Sequence, residues 1–167
     1  MNTLMLILFC LGLGLLALFA LHCFRQAHTV QHAANGSHGQ LTRFAEEVLP
    51  ARHLLVTQGT ASNQFLVADG TARPMGTVPD TVDADNLDDE PKAIELLGIA
   101  PRTLPMVAAA AFDQDIDLYS LAGGKVGALP VAAGTYWRVG RSVNEAEGAD
   151  VNVEVAHHAP VAVDVVL

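Results

Sequence analysis

Two acidic stretches have the spacing that first suggests a calcium site. An EF-hand loop needs oxygen ligands at positions 1, 3 and 5, glycine at 6 and glutamate at 12. The first stretch is Asp83–Glu90, and a loop that starts at its first residue has Asp88 at position 6. The second stretch is Asp113–Asp117, and a loop that starts there has Leu118 at position 6. Because both lack the glycine, we interpret them as solvated acidic turns and predict no metal site.

A second candidate for chemistry is the lysine of Gly123-Gly124-Lys125. A phosphate loop has the pattern G-x-x-x-x-G-K-[ST], in which backbone amides surround the phosphates and a hydroxyl reaches magnesium. Here Tyr119 occupies the first glycine position and Val126 replaces the hydroxyl residue. The sequence also has no G-x-S-x-G nucleophile elbow. We therefore predict no catalytic residue, no cofactor and no enzymatic activity.

Two groups of histidines could be considered for metal binding. His28 and His32 would share one face of a helix, which is a spacing that can bind a metal. No carboxylate or thiolate lies beside them, and we interpret residues 25–40 as a polar linker. His157-His158 ends a predicted strand in a region without cysteine, so it also predicts no metal or catalytic site.

The charge of the chain excludes nucleic acid as a partner. The net charge is -9, with 9 Lys and Arg residues among 167. A nucleic-acid-binding protein gains affinity by neutralising phosphates with clustered basic residues. The basic residues here are few and scattered, so no such cluster can form.

The segment Thr3–Phe24 has the character of a membrane helix. It comprises 22 residues without a formal charge. As a helix it would span about 33 Å, enough for a hydrocarbon core of about 30 Å. We predict a hydrophobic, membrane-type helix over residues 1–24. A signal peptide fits less well because no Lys or Arg precedes the apolar run; a docking arm for a partner and a wrongly assigned start also stay open.

Residues 41–167 predict a small all-β domain, either an antiparallel barrel or a sandwich. Short apolar or alternating runs are separated by Gly- and Pro-rich turns, and no βαβ spacing appears. Alternation is clearest in Val151–Val155 and in Val161–Val165, which we expect to anchor the core. The predicted strands are His53–Thr57, Gln64–Ala68, Ala93–Leu97, Leu104–Ala108, Asp117–Leu121, Tyr136–Val143, Asp150–Ala156 and Val161–Val166.

Two groups of residues are candidates for a protein interface. Tyr136 and Trp137 are adjacent in a predicted strand, so one ring should fill the core while the other faces a partner. Leu41 and Phe44 belong to Leu41–Leu49, whose apolar residues recur at helical spacing and predict a short amphipathic helical turn that ends at Pro50. This segment is the second candidate contact surface.

The segment that contains these aromatics also carries a family resemblance. Residues 123–143 have the sequence GGKVGALPVAAGTYWRVGRSV and are followed by an acidic strand and a proline. This sequence pattern resembles that of the capsid cement (head decoration) proteins of phages. The resemblance extends back to Leu41 and covers about three quarters of the chain. It implies a β protein that docks on a phage or prophage capsid, with the major capsid protein as partner and a homotrimer as oligomeric state. Relatives have also been labelled recombinases, which these residues do not support.

Two functions follow from these patterns. The first is a non-enzymatic structural protein of the virion that decorates and stabilises a capsid. The alternative is an extracytoplasmic β domain with a binding role, anchored in a membrane through residues 3–24. Genes for capsid, portal or terminase proteins beside this gene would favour the first.

Overall fold

Ten strands make up most of the regular structure in the computed structural model, which describes residues 39–87, 90–100 and 102–166. In chain order they are β1 (Gln40–Ala45), β2 (Leu54–Gln58), β3 (Gln64–Val67), β4 (Gly76–Val78), β5 (Lys92–Leu96), β6 (Leu104–Val107), β7 (Asp117–Leu121), β8 (Lys125–Gly127), β9 (Gly134–Ser142) and β10 (Asn152–Val165). Short 3₁₀ turns lie at Ala84–Asn86 and Ala122–Gly124. The all-β prediction is confirmed. The helix predicted over residues 1–24 lies outside the described residues.

The first five strands form a closed barrel in the order β1-β3-β2-β4-β5. It closes because β1 pairs with both β3 and β5. The β1–β3 pair is parallel, and the other pairs are antiparallel. The barrel interior is an apolar cluster of buried residues, namely Ala45, Leu49, Val56, Phe65, Val78, Val82 and Ile94.

The last five strands form a second, antiparallel sheet in the order β6-β10-β9-β7-β8. Its two outer strands come together, since Ala108 forms a parallel bridge with Val126 and the Ala109 N–H donates to the Val126 carbonyl at 2.8 Å. This contact curls the sheet around its own core. That core includes Met106, Leu118 and Val155.

The barrel and the second sheet share strand β2, whose two faces are both buried. Val56 packs inside the barrel, whereas Leu55 packs with the core of the second sheet. The Leu55 carbonyl accepts the Ala68 N–H at 2.9 Å, and the Ala68 carbonyl accepts the Gly124 N–H at 2.7 Å. The two halves are thus connected through both side chains and backbone.

The helical turn predicted over Leu41–Leu49 is wrong. Residues 40–45 form β1, in which Leu41 lies opposite Ile94 of β5 and Phe44 lies opposite Gln64 of β3. A helix of two turns is marginal without tertiary support. Pairing on both sides of β1 outweighs the helical spacing of its apolar residues.

The two valine strands predicted near the C-terminus are a single long strand, β10. Val153 and Val155 are buried, as predicted, whereas Val151 is 36% exposed, contrary to the prediction. Val161 is 45% exposed, and Val163 and Val165 are half-buried. The prediction that Val161–Val165 anchors the core is therefore wrong, because β10 continues beyond the core.

A matched glycine pair tests the close approach between the barrel and the second sheet. Gly123 and Gly124 both have positive φ, at 74° and 69°. A Cβ on Gly124 would lie 2.7 Å from the Leu55 carbonyl oxygen, whereas a Cβ on Gly123 would meet nothing within 4 Å. We expect both alanine variants to pay the left-handed strain of about 1–2 kcal/mol, and Gly124→Ala to lose about 1–3 kcal/mol more by overpacking.

The measurement is chemical denaturation of a fragment that comprises residues 39–167, with Gly123→Ala as the control. Equal losses in the two variants would contradict the close packing at Gly124.

Candidate interaction surface

Several of the charged residues that sequence analysis tested for chemistry are engaged in ion pairs. Lys125 Nζ lies 2.7 Å from the Asp150 carboxylate. Asp115 pairs with Arg141 at 2.7 Å, and Asp117 pairs with Arg138 at 3.1 Å. The pair between Asp117 and Arg138 joins β7 to β9, and another pair ties Lys125 of β8 to Asp150.

Acidic side chains do gather at one shallow cleft of the second sheet. Asp113, Glu145 and Glu147 line it together with Phe112. Within residues 39–87, 90–100 and 102–166, no group of three His, Cys, Asp or Glu side chains is placed to hold a metal ion. The His28 and His32 pair lies outside these residues.

A groove of about 620 Å³ lies beside the barrel. Its apolar wall includes Leu54 and Leu66, and its acidic residues are Glu47 and Asp69. Both carboxylates already accept backbone N–H groups, Glu47 from Val67 at 2.7 Å and Asp69 within its own turn. Those turn bonds, from the N–H groups of residues 72 and 71, lower the pKa of Asp69. The groove therefore holds structural carboxylates.

The most distinctive surface is a two-stranded ribbon at the end of the second sheet. In it, Gly134–Arg138 of β9 pairs with Val161–Val165 of β10 in continuous register. Strand β6 pairs with β10 only as far as Val155, and β7 reaches β9 only as far as Arg138. The ribbon therefore projects beyond its neighbours. An isolated two-stranded ribbon is marginally stable in water, so contacts elsewhere must support it.

The two faces of the ribbon differ. Residues directly opposite each other in a pair lie on the same face. Val163 lies opposite Tyr136, and Val161 and Val165 fall on the same side. We call this surface the valine face. It comprises Val161, Val163, Val165, Tyr136 and Arg138, which lies opposite Val161 and forms an ion pair with Asp117 at 3.1 Å. The other face carries Trp137, and its indole N–H donates to the Thr71 carbonyl at 2.9 Å.

Tyr136 and Trp137 thus have separate environments, although both rings are half-buried. Trp137 fastens the ribbon to the Thr71 turn of the barrel. The Tyr136 hydroxyl donates to the Ala132 carbonyl at 3.2 Å, next to the valine face. Neither ring lies fully in the core, so Tyr136 becomes the candidate interface anchor, and its role stays a prediction. Leu41 and Phe44 are half-buried in the barrel wall, away from the ribbon in the strand order.

An apolar loop, Ala128–Ala133, leads into the ribbon. Its sequence is ALPVAA, and Val131 is 88% exposed while Leu129 is 39% exposed. At the same end of the ribbon, where Val165 pairs with Gly134, Val166 is 86% exposed. Sequence reasoning missed these residues. The sequence did contain an indication, because a short run of six apolar residues between two strands cannot form a core by itself and is left exposed.

His157 holds the base of the ribbon against the barrel. Its Nδ1 accepts the Gly98 N–H at 2.8 Å, and its Nε2 donates to the Arg102 carbonyl at 2.9 Å. This arrangement uses the neutral ring. Burial lowers the pKa of His157, although the hydrogen bond to Arg102 opposes that shift. His157 is therefore a structural histidine that connects the base of the ribbon to the segment around Gly98 and Arg102.

The comparisons with known proteins identify no family for the chain. No protein-family model and no curated protein matches it. Within the part of the chain that the structure describes, no helix is long and apolar enough to cross a membrane. The hydrophobic segment Thr3–Phe24 lies outside that part.

The two aromatic residues should respond differently to truncation. Trp137→Ala removes a packed ring and its hydrogen bond to the barrel, so we expect a loss of about 2 kcal/mol in folding free energy. Tyr136→Ala should cost less in folding and weaken self-association by roughly 2 kcal/mol. Denaturation and sedimentation of residues 39–167 measure the two effects. The assignment is overturned if Trp137→Ala weakens association of the folded protein while Tyr136→Ala leaves it unchanged.

The hydrogen bonds of the neutral His157 ring predict that the stability of the fold depends on pH. The pKa of His157 in the fold lies below its ordinary value of 6.5, as does that of the half-buried His53, and in both cases burial is the main cause. The folded state therefore binds fewer protons than the unfolded state, and this contribution is present above pH 6.5 and lost as the pH falls below it.

The measurement is Tm between about pH 7.5 and about pH 5.5, the range in which histidine titrates. We expect His157→Gln to flatten the fall in Tm. The control is His158→Gln, since that ring contacts only the neighbouring Ala159 carbonyl among the hydrogen bonds described. If the Tm of both variants falls as steeply as that of the wild type, protonation of His157 does not cause the loss of stability.

Proposed function

We propose that this chain is a non-enzymatic structural protein that decorates and stabilises the capsid of a phage or prophage. The observation that carries the proposal is the apolar surface formed by the ribbon and the loop Ala128–Ala133 on an otherwise acidic chain. Large exposed apolar surfaces rimmed by polar residues are typical of protein interaction sites. The partner is the major capsid protein, and the chain acts as a homo-oligomer, a trimer by resemblance.

The family resemblance supports the same surface. Residues 123–143, which carry the resemblance to capsid cement proteins, comprise the glycine turn, β8, the apolar loop and β9. The segment that resembles the family thus supplies the apolar loop and the β9 half of the ribbon, while β10 supplies the valines. The function would be mechanical, because many copies that each add interface area resist the outward pressure of packaged DNA.

A modest interface per copy is sufficient for this role. Binding at several linked sites multiplies affinity without new contacts, since each further site engages at a high effective concentration. The ion pairs at Lys125, Arg138 and Arg141 leave these groups committed to the fold. The apolar surface is therefore the contact surface that the described residues offer for this role.

Virus particles from the organism that carries the gene test this function. We expect mass spectrometry of particles banded in a density gradient to find the chain at copy numbers comparable to those of the major capsid protein. We also expect particles from a strain without the gene to release DNA at a lower temperature. Absence of the chain from banded particles would contradict the proposal.

A second candidate function is a membrane-anchored extracytoplasmic binding domain. The observation that favours it is the uncharged 22-residue segment Thr3–Phe24. Fractionation of cells that express the full chain, compared with residues 39–167 alone, separates the two functions. The anchor function requires the full chain to sediment with membranes and to be absent from particles.

A further inference from the structure

We propose that the groove beside β3 is a docking site for an extended segment of a partner protein, in which a lysine or arginine lies between apolar residues. This groove has a volume of about 620 Å³, and we call it the seam groove; Glu47, Leu54, Leu66, Val67 and Asp69 are among the residues that line it. Its described lining includes no residue of the ribbon. The inference therefore goes beyond the proposed function and holds or fails independently of it.

The seam groove lies where β3 loses its neighbour in the barrel wall. At the end of the paired part of β1 and β3, the Glu46 N–H donates to the Phe65 carbonyl at 3.0 Å. The chain then leaves β3, because Leu49 forms an antiparallel bridge with Val82. Among the described strands, none pairs with this side of β3 at Val67, two residues beyond Phe65. Val67 is therefore an edge residue within a barrel that is otherwise closed.

The backbone of Val67 is available for strand pairing. The Ala68 N–H donates to the Leu55 carbonyl of β2 at 2.9 Å. Because the backbone groups of successive strand residues point to opposite sides, the N–H and carbonyl of Val67 point away from β2, toward the edge. The Glu47 carboxylate accepts that N–H at 2.7 Å. A side chain thus occupies the position that a neighbouring strand would take, and an extended segment can replace it by adding to the edge of β3.

The charge of the seam groove favours a basic segment. Of the described residues that line it, Glu47 and Asp69 are the charged ones. Hydrogen bonds from the N–H groups of residues 72 and 71 lower the pKa of Asp69, so this carboxylate stays ionised at neutral pH. A carboxylate has about four acceptor positions. Both groups can therefore bind an incoming cation in addition to their bonds within the fold.

Two arginines adjoin the seam groove without lining it. The Arg43 guanidinium binds the Gln58 side chain at one end of the groove and donates to the Gln64 carbonyl at 3.3 Å. The Arg73 carbonyl accepts the Thr57 hydroxyl at 2.9 Å. The chain as a whole carries a net charge of -9, so a second copy is a poor occupant for a site with two carboxylates.

The shape of the seam groove favours an extended peptide. Its volume falls within the range of about 300–1,000 Å³ that is typical of ligand sites. Alternate side chains of an extended segment share one face, so a lysine between two apolar residues on that face meets both the carboxylates and the apolar wall. The methylene stem of lysine can itself lie on apolar surface. The apolar wall consists of Pro50, Leu54, Leu66, Val67, Ala68 and Ala72.

Photo-labelling of the full chain, purified in the neutral detergent dodecyl maltoside, tests the proposal. The probe is the pentapeptide LTKTL with photo-leucine at its first position, so that both leucines and the lysine share a face. The matched control is LTQTL, which lacks the charge. We expect mass spectrometry to locate the probe within residues 47–72, with at least fivefold less labelling there by the control peptide.

Charge-neutralising variants link the labelling to the seam groove. Glu47→Gln keeps a carbonyl that can accept the Val67 N–H, so it removes the charge without removing the acceptor. We expect this variant, and separately Asp69→Asn, to reduce labelling at least fivefold. Glu145→Gln is the control, because it removes the same charge from the acidic cleft of the second sheet. Circular dichroism melting curves establish which variants fold.

Three outcomes would overturn the proposal. The first is the absence of labelling within residues 47–72. The second is equal labelling by LTQTL, which would assign the groove to a purely apolar occupant. The third is unchanged labelling in the folded Glu47→Gln and Asp69→Asn variants, or an equal loss in Glu145→Gln.

Discussion

The burial of both faces of β2 is the constraint on which the rest of the structure depends. A strand in a barrel wall normally shows one face to solvent, but here Leu55 lies in the core of the second sheet while Val56 lies in the barrel. The backbone of Gly124 must approach this strand closely, which requires glycine at that position. Because the two cores share β2, neither can rearrange alone, and the ribbon extends from a body whose parts hold each other in place.

The sequence predicted most strands because their alternation was strong, and β7 was placed at its observed bounds, Asp117–Leu121. It missed β4 and β8, since three-residue strands carry no period of their own and exist only through pairing. The helical spacing in β1 led to a wrong prediction because this strand, too, is stabilised by its pairing with β3 and β5. The valines of β10 show why the exposed face could not be predicted from alternation alone. Val153 and Val161 belong to equally regular alternating patterns, but β6 pairs with β10 only as far as Val155, so only Val153 is covered.

The candidate site shows the same division between local pattern and tertiary context. Adjacency of Tyr136 and Trp137 predicted opposite faces, and the register of the ribbon bears this out. Which face meets the barrel depended on the Thr71 turn, more than sixty residues away in sequence, and no local pattern reports that contact. The ribbon is fastened to the barrel on its Trp137 side and is open on its valine face, and this arrangement is the basis of the proposed binding role.

Hydrogen exchange in Leu55→Ala tests most directly whether β2 couples the two halves. Removing a buried Leu side chain costs about 2–5 kcal/mol, so amides that exchange by global unfolding should lose protection at least tenfold. The account predicts that the amides of β4 in the barrel and those of residues 152–156 in β10 lose protection by the same factor. If only one of these regions loses protection, the halves unfold separately and β2 does not couple them.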